Sequence, residues 1–337
     1  METGSGHLPM VGAFRFEKTW GEGAGMIRYI LRRLLRSLIT LIVVFVAVFM
    51  LLRFMPLNGY FPQEMIKETD EATRMAYLRN LGLLDHPFVQ LGRFLGNLFR
   101  GDLGRSITVY PQVPIATLMA EKIPTTAFLG FWSMLLGIAA GLSMGMMMVR
   151  YKNRLGDGLG SGYILLVRAV PSLIYLFFLQ IWVSRWLNLP LVYDKDVAKS
   201  WILPIICLSL GSVAWYALWI RRFMVDDENQ DYVKFATVKG LSRKAVLRKH
   251  IFRNAVIPIT AYLPSDLLNI VAGSLIIETL YAIPGTGGLL TTAIKRQDNN
   301  LVQVLVLMYA ALSILGVFLG DLLLAFVDPR IKLTEER

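Results

Sequence analysis

Four charged residues stand within long apolar runs of the sequence, where they could act on a polar solute or on each other. Arg168 lies beside Pro171 in the third run, Asp266 and Glu278 lie in the fifth, and Asp321 lies in the sixth. Charges at such depth in a membrane are costly and usually face a bundle interior or a water-filled cavity. Arg168, Asp266, Glu278 and Asp321 are therefore candidates for a translocation path or gate.

The spacing of two of these charges indicates that they are neighbours. Arg168 and Asp266 each lie about nine residues from the end of their run on the same side, a depth of roughly 14 Å at 1.5 Å per residue. Two interpretations of such a pair stay open: a polar element of a transport path, or a salt bridge that packs two spans. Instead of lining a transport path, Glu278 could order the loop formed by residues 281–288.

The apolar runs define the fold class. The chain has 337 residues, of which 55% are hydrophobic, and its 18% of charged residues is below the roughly 25% of a soluble domain. Each run is continuously apolar and long enough for a helix to cross a bilayer core of about 30 Å. The sequence therefore predicts an all-α integral membrane protein with six transmembrane helices. These spans are predicted at about 34–55, 125–149, 159–183, 201–224, 257–280 and 301–326.

The basic residues predict the orientation of the spans. Lys and Arg cluster before the first run, after the second, after the fourth and in the C-terminal tail. Six spans place all these clusters on one side, which the positive-inside rule makes the cytoplasm, with both termini inside. The same rule accounts for the net charge of +11, so no nucleic-acid partner is expected. The bilayer itself is the expected surrounding.

The spans divide the chain into five segments. Residues 1–25 form a cytoplasmic N-terminal tail, and residues 26–56 form the first transmembrane helix with its basic flank. Residues 57–123 form an external helical subdomain, with helices expected at about 63–81 and over the pattern Phe88, Leu91, Leu95 and Leu98. Residues 124–327 form a five-span core with a cytoplasmic loop at 225–256, and residues 328–337 form a cytoplasmic tail. The external subdomain could be a simple cap or a surface that receives an external partner.

The loop at 225–256 is far longer than a connection between two spans requires. The pattern predicts two short amphipathic helices separated by Gly240, with Asp231 and Ser242 as their N-caps. Tyr232, Phe235, Ala236 and Lys239 share one face of the first helix. Such a face must be buried in the lipid interface, in its own bundle or in the groove of a partner.

Several kinds of chemistry have no matching pattern in the sequence. No phosphate-binding glycine loop of the Walker type is present, so the chain is not expected to bind or hydrolyse ATP. Cys207 is the only cysteine, and the three histidines are far apart, so we expect no metal site and no cofactor in this chain. A non-enzymatic protein is predicted, and energy for transport would come from a partner or from an ion gradient.

Five parts of the sequence, taken in order, match a known pattern: residues 26–35, residues 81–87 with 98–106, the loop positions Ala236, Gly240, Leu241, Asn254 and Pro258, residues 277–287, and Asp328–Ile331. They resemble binding-protein-dependent ABC importers, and specifically the B-type permease subunit of the oligopeptide, dipeptide and nickel branch. Two stretches depart from the family pattern. Lys234 and Phe235 stand where the motif usually has Glu-Ala, and residues 55–60 lack the usual Pro-Gly-Asp-Pro-like end of the first span.

The resemblance implies a type I ABC importer permease in the cytoplasmic membrane of a bacterium or archaeon. It implies a second homologous permease, two ABC ATPase subunits that bind ATP and Mg²⁺, and an external solute-binding protein. The ATPase-coupling loop would comprise Tyr232, Phe235, Ala236, Lys239, Gly240, Leu241 and Ser242. Peptides are the expected substrates. The alternative is a secondary transporter that uses Arg168, Asp266 and Asp321, although such proteins usually show internal repeats, and none is visible.

Overall fold

The computed structural model describes residues 23–54, 61, 70–80 and 82–327, with side chains described from residue 30 onward. The predicted terminal tails, the signature at 328–331 and the departure at 55–60 lie outside the described residues. The described chain is helical, and its only pairing of extended backbone is an isolated bridge between Arg105 and Pro114. The helices are α1 (Gly23–Leu52), α2 (Glu71–Asn80), α3 (Pro87–Phe99), α4 (Ile115–Arg150), α5 (Leu155–Ala169), α6 (Ser172–Leu187), α7 (Lys199–Glu228), α8 (Asp231–Val238), α9 (Arg243–Val246), α10 (Phe252–Thr260), α11 (Leu263–Asn269), α12 (Leu275–Leu280), α13 (Thr286–Lys295) and α14 (Asn299–Val327).

The described residues contain up to six membrane spans, the number that the sequence predicts. Five are helices or helical segments long and apolar enough to cross a bilayer: Ile30–Leu52, α4, α7, Leu263–Leu280 and α14. The sixth is the pair formed by α5 and α6, which is bent by 111°. The chain is therefore a multi-pass, all-α membrane protein.

The third and fifth spans, each predicted as one membrane crossing, are broken into shorter helices. Pro171 restricts the residue before it to extended backbone, and Val170 accordingly has φ −86° and ψ 130° between α5 and α6. In the fifth span, α10 ends at Thr260, α11 follows, and Gly273 has φ +66° before Ser274 caps α12. Both breaks remove backbone hydrogen bonds from the middle of a span.

The centre of the bundle is the contact between α4 and α7, where small residues allow close approach. A Cβ added at Gly141 would lie 2.6 Å from the Cβ of Tyr216, and one at Gly145 would lie 2.1 Å from a side-chain carbon of Ile220. The helix α4 begins at Ile115, so the predicted domain boundary at 123/124 falls inside a continuous helix.

The two ends of the bundle differ in character. At one end, Glu228 pairs with Lys152 at 3.1 Å and with Arg243 at 3.8 Å, which joins the loop after α4 to the segment after α8. We call this the basic end. At the opposite end, buried Asp298 accepts hydrogen bonds from the loop after α3, including one from the Ser106 hydroxyl at 2.6 Å. That carboxylate ties the segment between the first two spans to the start of α14.

Candidate functional site

A cavity of about 250 Å³ lies between α4, α7 and the broken fifth span. Its polar lining residues come from all three elements: Thr126, Ser133, Ser212, Asp266, Asn269, Ser274 and Glu278. Its apolar lining includes Leu129, Leu208 and Ile270. A mixed cavity of this kind inside a helix bundle is where a membrane protein places groups that handle a polar solute.

Asp266 is positioned by the break at the start of α11. It lies in the first turn of that helix, and its Oδ2 accepts a hydrogen bond from the hydroxyl of Tyr216 on α7. Tyr216 is itself buried by its contact with Gly141 and by an edge-on ring contact with Trp215, whose ring also meets Tyr262. The packing of α4 against α7 thus fixes Tyr216, and Tyr216 in turn orients the Asp266 carboxylate.

Glu278 is the second carboxylate of the cavity, and it is buried. Its oxygens accept hydrogen bonds from the Gly288 amide at 2.8 Å, the Thr126 hydroxyl at 3.1 Å and the Ser274 amide at 3.4 Å. A Cβ at Gly285 would lie 2.4 Å from this carboxylate. The arrangement is the one expected of a residue that orders the loop at 281–288, and it fixes that loop against α4.

The other two intramembrane charges lie elsewhere. Arg168 is exposed near the end of α5, and no ion pair of the described residues joins it to Asp266. The predicted proximity assumed straight spans, and the bend at Pro171 removes that assumption. Asp321 pairs with Arg33 of α1, so it links the first and sixth spans and does not line the cavity.

The predicted coupling loop forms a compact unit on the basic end. The helix α8 ends in a turn in which Gly240 has φ +81°. In this turn the Gly240 amide donates a hydrogen bond to the Thr237 carbonyl, and the Leu241 amide donates one to the Ala236 carbonyl. Ser242 caps α9, as predicted, by accepting a hydrogen bond from the Ala245 amide at 3.4 Å. The N-cap of α8 is Gln230, however, and not the predicted Asp231.

Asp231 instead occupies the first helical position of α8, where Lys234 donates a hydrogen bond to it at 2.8 Å. That hydrogen bond lowers the pKa of the exposed Asp231 carboxyl.

The predicted shared face of α8 is divided between two environments. Ala236 is buried with Val233 in a core that includes Ile220 and Met224, and Tyr232 packs against the same core. Phe235 is 69% exposed, and Lys239 is exposed as well. The bundle therefore takes a face centred on Val233 and Ala236, about one residue away from the face that the pattern predicted.

The exposed side of α8 carries an open apolar stripe formed by Phe235, Val238 and Leu241. Their exposed fractions are 69%, 85% and 39%. The following segment has no such stripe, because Val246, Leu247 and Ile251 are buried in the bundle. Its exposed positions are basic: Arg243, Lys244, Arg248, Lys249 and Arg253. The unit thus presents an apolar stripe followed by a charged surface.

Sequence reasoning missed several residues of these sites. Tyr216 and Asn269 gave no signal, because a single polar residue in an apolar run is common. Val238 was also not predicted, although it is the most exposed residue of the apolar stripe. The i, i+3, i+6 spacing of the stripe was the available signal.

The chain is similar in sequence to a known family and to several known proteins. The family described as "Binding-protein-dependent transport system inner membrane component" matches residues 134–333. The oligopeptide transport system permease protein AmiC of Streptococcus pneumoniae is 34% identical over 219 residues, covering 64% of this chain and 44% of AmiC. The chain thus spans less than half the length of that relative. The dipeptide transport system permease protein DppB of Lactococcus lactis is 29% identical over 308 residues, covering 91% of this chain and 100% of DppB.

A solved structure of the MetNI methionine ABC transporter in inward-facing form aligns with a TM-score of 0.49 and 16% identity, over 63% of this chain and 96% of that chain. The family match covers more than half of the chain. It contains the apolar stripe and the cavity residues from Met134 onward, and it leaves out the cavity residues Thr126, Leu129, Gly130 and Ser133 of α4. This chain belongs to the binding-protein-dependent transport system inner membrane component family, the membrane permeases of ABC importers.

Proposed function

We propose that this permease imports peptides as one of two similar permease subunits, driven by two ABC ATPase subunits and supplied by an external solute-binding protein. Peptide is the substrate class named for both AmiC and DppB. DppB is matched over its whole length, so it supports the proposal more strongly than AmiC. ATP and Mg²⁺ would be bound by the partner ATPases, and this chain would be a non-catalytic subunit.

The single observation that carries the assembly is the open apolar stripe on α8. Phe235 and Val238 are large apolar residues that a monomer leaves exposed next to a basic surface. A short helix with one buried and one open apolar face suits insertion into a hydrophobic groove of a partner. The buried face, at Val233 and Ala236, fixes the helix to α7, so a displacement of the partner would be transmitted to the spans.

The basic end would lie in the cytoplasm, together with both termini. The lysines and arginines of that end supply the argument, through the positive-inside rule. The loop at 188–198 and the segment tied to Asp298 would then face the outside, where a binding protein delivers solute. ATP binding by the partners would favour one arrangement of the spans, and hydrolysis would restore the other.

Broken spans alone do not distinguish this mechanism from an ion-gradient transporter, since such transporters also use broken helices. Membership of the importer family assigns the chain to the ATP-driven class.

The test is co-purification of the tagged chain, in mild detergent, with its ATPase and second permease. Phe235→Asp should abolish retention of the ATPase, because a carboxylate in an apolar groove is strongly disfavoured. Val192→Asp is the matched control: Val192 is 51% exposed in the loop between α6 and α7, and this change should leave ATPase retention intact. Unchanged ATPase retention with Phe235→Asp would refute docking through α8.

A further inference from the structure

We propose that the cavity around Asp266 holds a positively charged group of the passing solute, an ammonium or guanidinium of a peptide. This inference rests on the proposed function and specifies which solutes the path favours. It requires the cavity to be acidic in net charge, large enough for a charged side-chain group and able to satisfy several N–H donors.

The charge of the cavity is unbalanced. Its described lining residues include two carboxylates, Asp266 and Glu278, and no Lys, Arg or His. Two basic residues of the spans are absent from the lining: the candidate Arg168 is exposed at the end of α5, and Arg33 of α1 is paired with Asp321. A carboxylate held away from water without a cation is unfavourable, so a cationic group that enters the cavity is stabilised there.

The two carboxylates are not equivalent. Glu278 accepts hydrogen bonds from Gly288, Thr126 and Ser274, which commits it to the loop at 281–288. Among the described residues, the Asp266 carboxylate has one hydrogen bond, from the neutral hydroxyl of Tyr216. That bond orients the carboxylate without adding a positive charge, so Asp266 is the group available to a ligand.

The size and the remaining lining fit a charged group rather than a whole peptide. The volume of about 250 Å³ is below the roughly 300–1,000 Å³ of pockets that enclose drug-sized ligands. An ammonium has three N–H donors and a guanidinium has five. Besides Asp266, acceptors for them are present on Asn269, Ser133 and Ser212.

The position of the cavity suits a step in transport. Asp266 follows the break at 261–262, and the cavity also includes Gly273 and Ser274 at the second break. Movement at either break would change the distance between Asp266 and the loop ordered by Glu278. A cation bound at Asp266 would therefore be gained or lost as the span rearranges.

The experiment uses the complete transporter, with its second permease, ATPases and binding protein, in proteoliposomes. ATP-dependent uptake of Ala-Lys-Ala is compared with that of the same tripeptide carrying norleucine in place of lysine. Uptake of both by the wild type establishes peptide import before variants are compared. If the wild type took up neither peptide, that result would overturn the proposed function, and this inference with it.

Asp266→Asn should lower uptake of the lysine peptide about tenfold relative to the norleucine peptide, since it removes the charge and keeps an oxygen for Tyr216. Asp266→Glu, which keeps the charge, should restore the ratio of the two peptides. The binding protein is unchanged in all variants, so its own preference cancels in that ratio. Equal loss of both peptides, or no loss of either, would overturn the inference.

A second variant guards against misfolding of Asp266→Asn. Asn269 lies three residues after Asp266 on α11, so Asn269→Lys supplies an internal ammonium within reach of the carboxylate. Uptake of the lysine peptide should fall to the level of Asp266→Asn, with uptake of the norleucine peptide by the same variant as the reference. Undiminished uptake of the lysine peptide by Asn269→Lys would also contradict a cation site here.

Discussion

Arg221 of α7 donates two hydrogen bonds to Asp157 of α5, from Nε at 2.8 Å and from Nη2 at 2.9 Å. The Asp157 carboxylate is buried, and it also accepts a hydrogen bond from the Asn153 amide at 3.1 Å. Nearby, Glu228 at the end of α7 forms salt bridges with Lys152 and Arg243. These contacts make the basic end one ion-paired unit, and α8 is attached to it.

We expect Asp157→Ala to destabilise the permease by about 2 kcal/mol, because the half-buried Arg221 guanidinium loses two charge-assisted hydrogen bonds. Thermal unfolding of the purified chain in detergent measures the effect. Asp231→Ala is the control, since it removes a carboxylate from the exposed pair with Lys234 and should leave the unfolding temperature nearly unchanged. Equal unfolding temperatures for the two variants would show that the Arg221 pair adds little.

Asp298 anchors the loop at 106–109 through one carboxylate oxygen. Its Oδ2 accepts hydrogen bonds from the amides of Ile107, Thr108 and Val109 at 2.9, 3.0 and 3.1 Å. In Asp298→Ala these amides lose their acceptor, at a cost of about 1–3 kcal/mol for each that stays buried. We expect faster hydrogen exchange at 107–109, with exchange in α7 unchanged.

Asp298→Asn is the matched control for this exchange measurement, because it keeps one acceptor oxygen and loses the charge. The amides of residues 107–109 should exchange more slowly in Asp298→Asn than in Asp298→Ala. If the alanine variant retained full protection of these amides, the loop would have to be held by other contacts, such as that of Thr108 with the Arg296 carbonyl.

The spans followed from the sequence because continuous apolar runs have few alternatives to a transmembrane helix. The exact positions of the breaks within them did not, although Pro171 and Gly273 are both visible in the sequence. Prolines and glycines are tolerated inside transmembrane helices, so their presence does not say which one interrupts the backbone. Pro124 shows the difficulty, since it lies inside the continuous helix α4.

The side chains of the sites were predictable to a lesser extent. A turn at Gly240 and the cap at Ser242 are local features, and both follow from short-range chemistry. The partners of Asp266 and Asp321 are Tyr216 and Arg33, which are distant in sequence and belong to other helices. Such contacts depend on how helices pack, and counting residues from the end of a span cannot supply them.

Gly240→Asp should uncouple ATP hydrolysis from uptake while the permease still assembles in the membrane. A Cβ at Gly240 would meet nothing within 4 Å, so the change introduces no clash, and the left-handed backbone adds strain of about 1–2 kcal/mol at most. The new carboxylate stands beside the open apolar stripe. Gly240→Asn has the same shape and tolerates the same backbone, so it should retain most uptake. Full peptide uptake per ATP with the aspartate variant would contradict coupling through this turn.

The orientation of the bundle can be measured with single cysteines at its two ends. Lys249 is exposed at the basic end, and Val192 is 51% exposed in the loop between α6 and α7. We expect a membrane-impermeant maleimide to label Val192→Cys in intact cells, and Lys249→Cys only after permeabilisation, because basic segments stay on the cytoplasmic side. The native Cys207 is 3% exposed and should give little background. Labelling of Lys249→Cys in intact cells would place the basic end outside, where no ATPase could reach the stripe formed by Phe235, Val238 and Leu241.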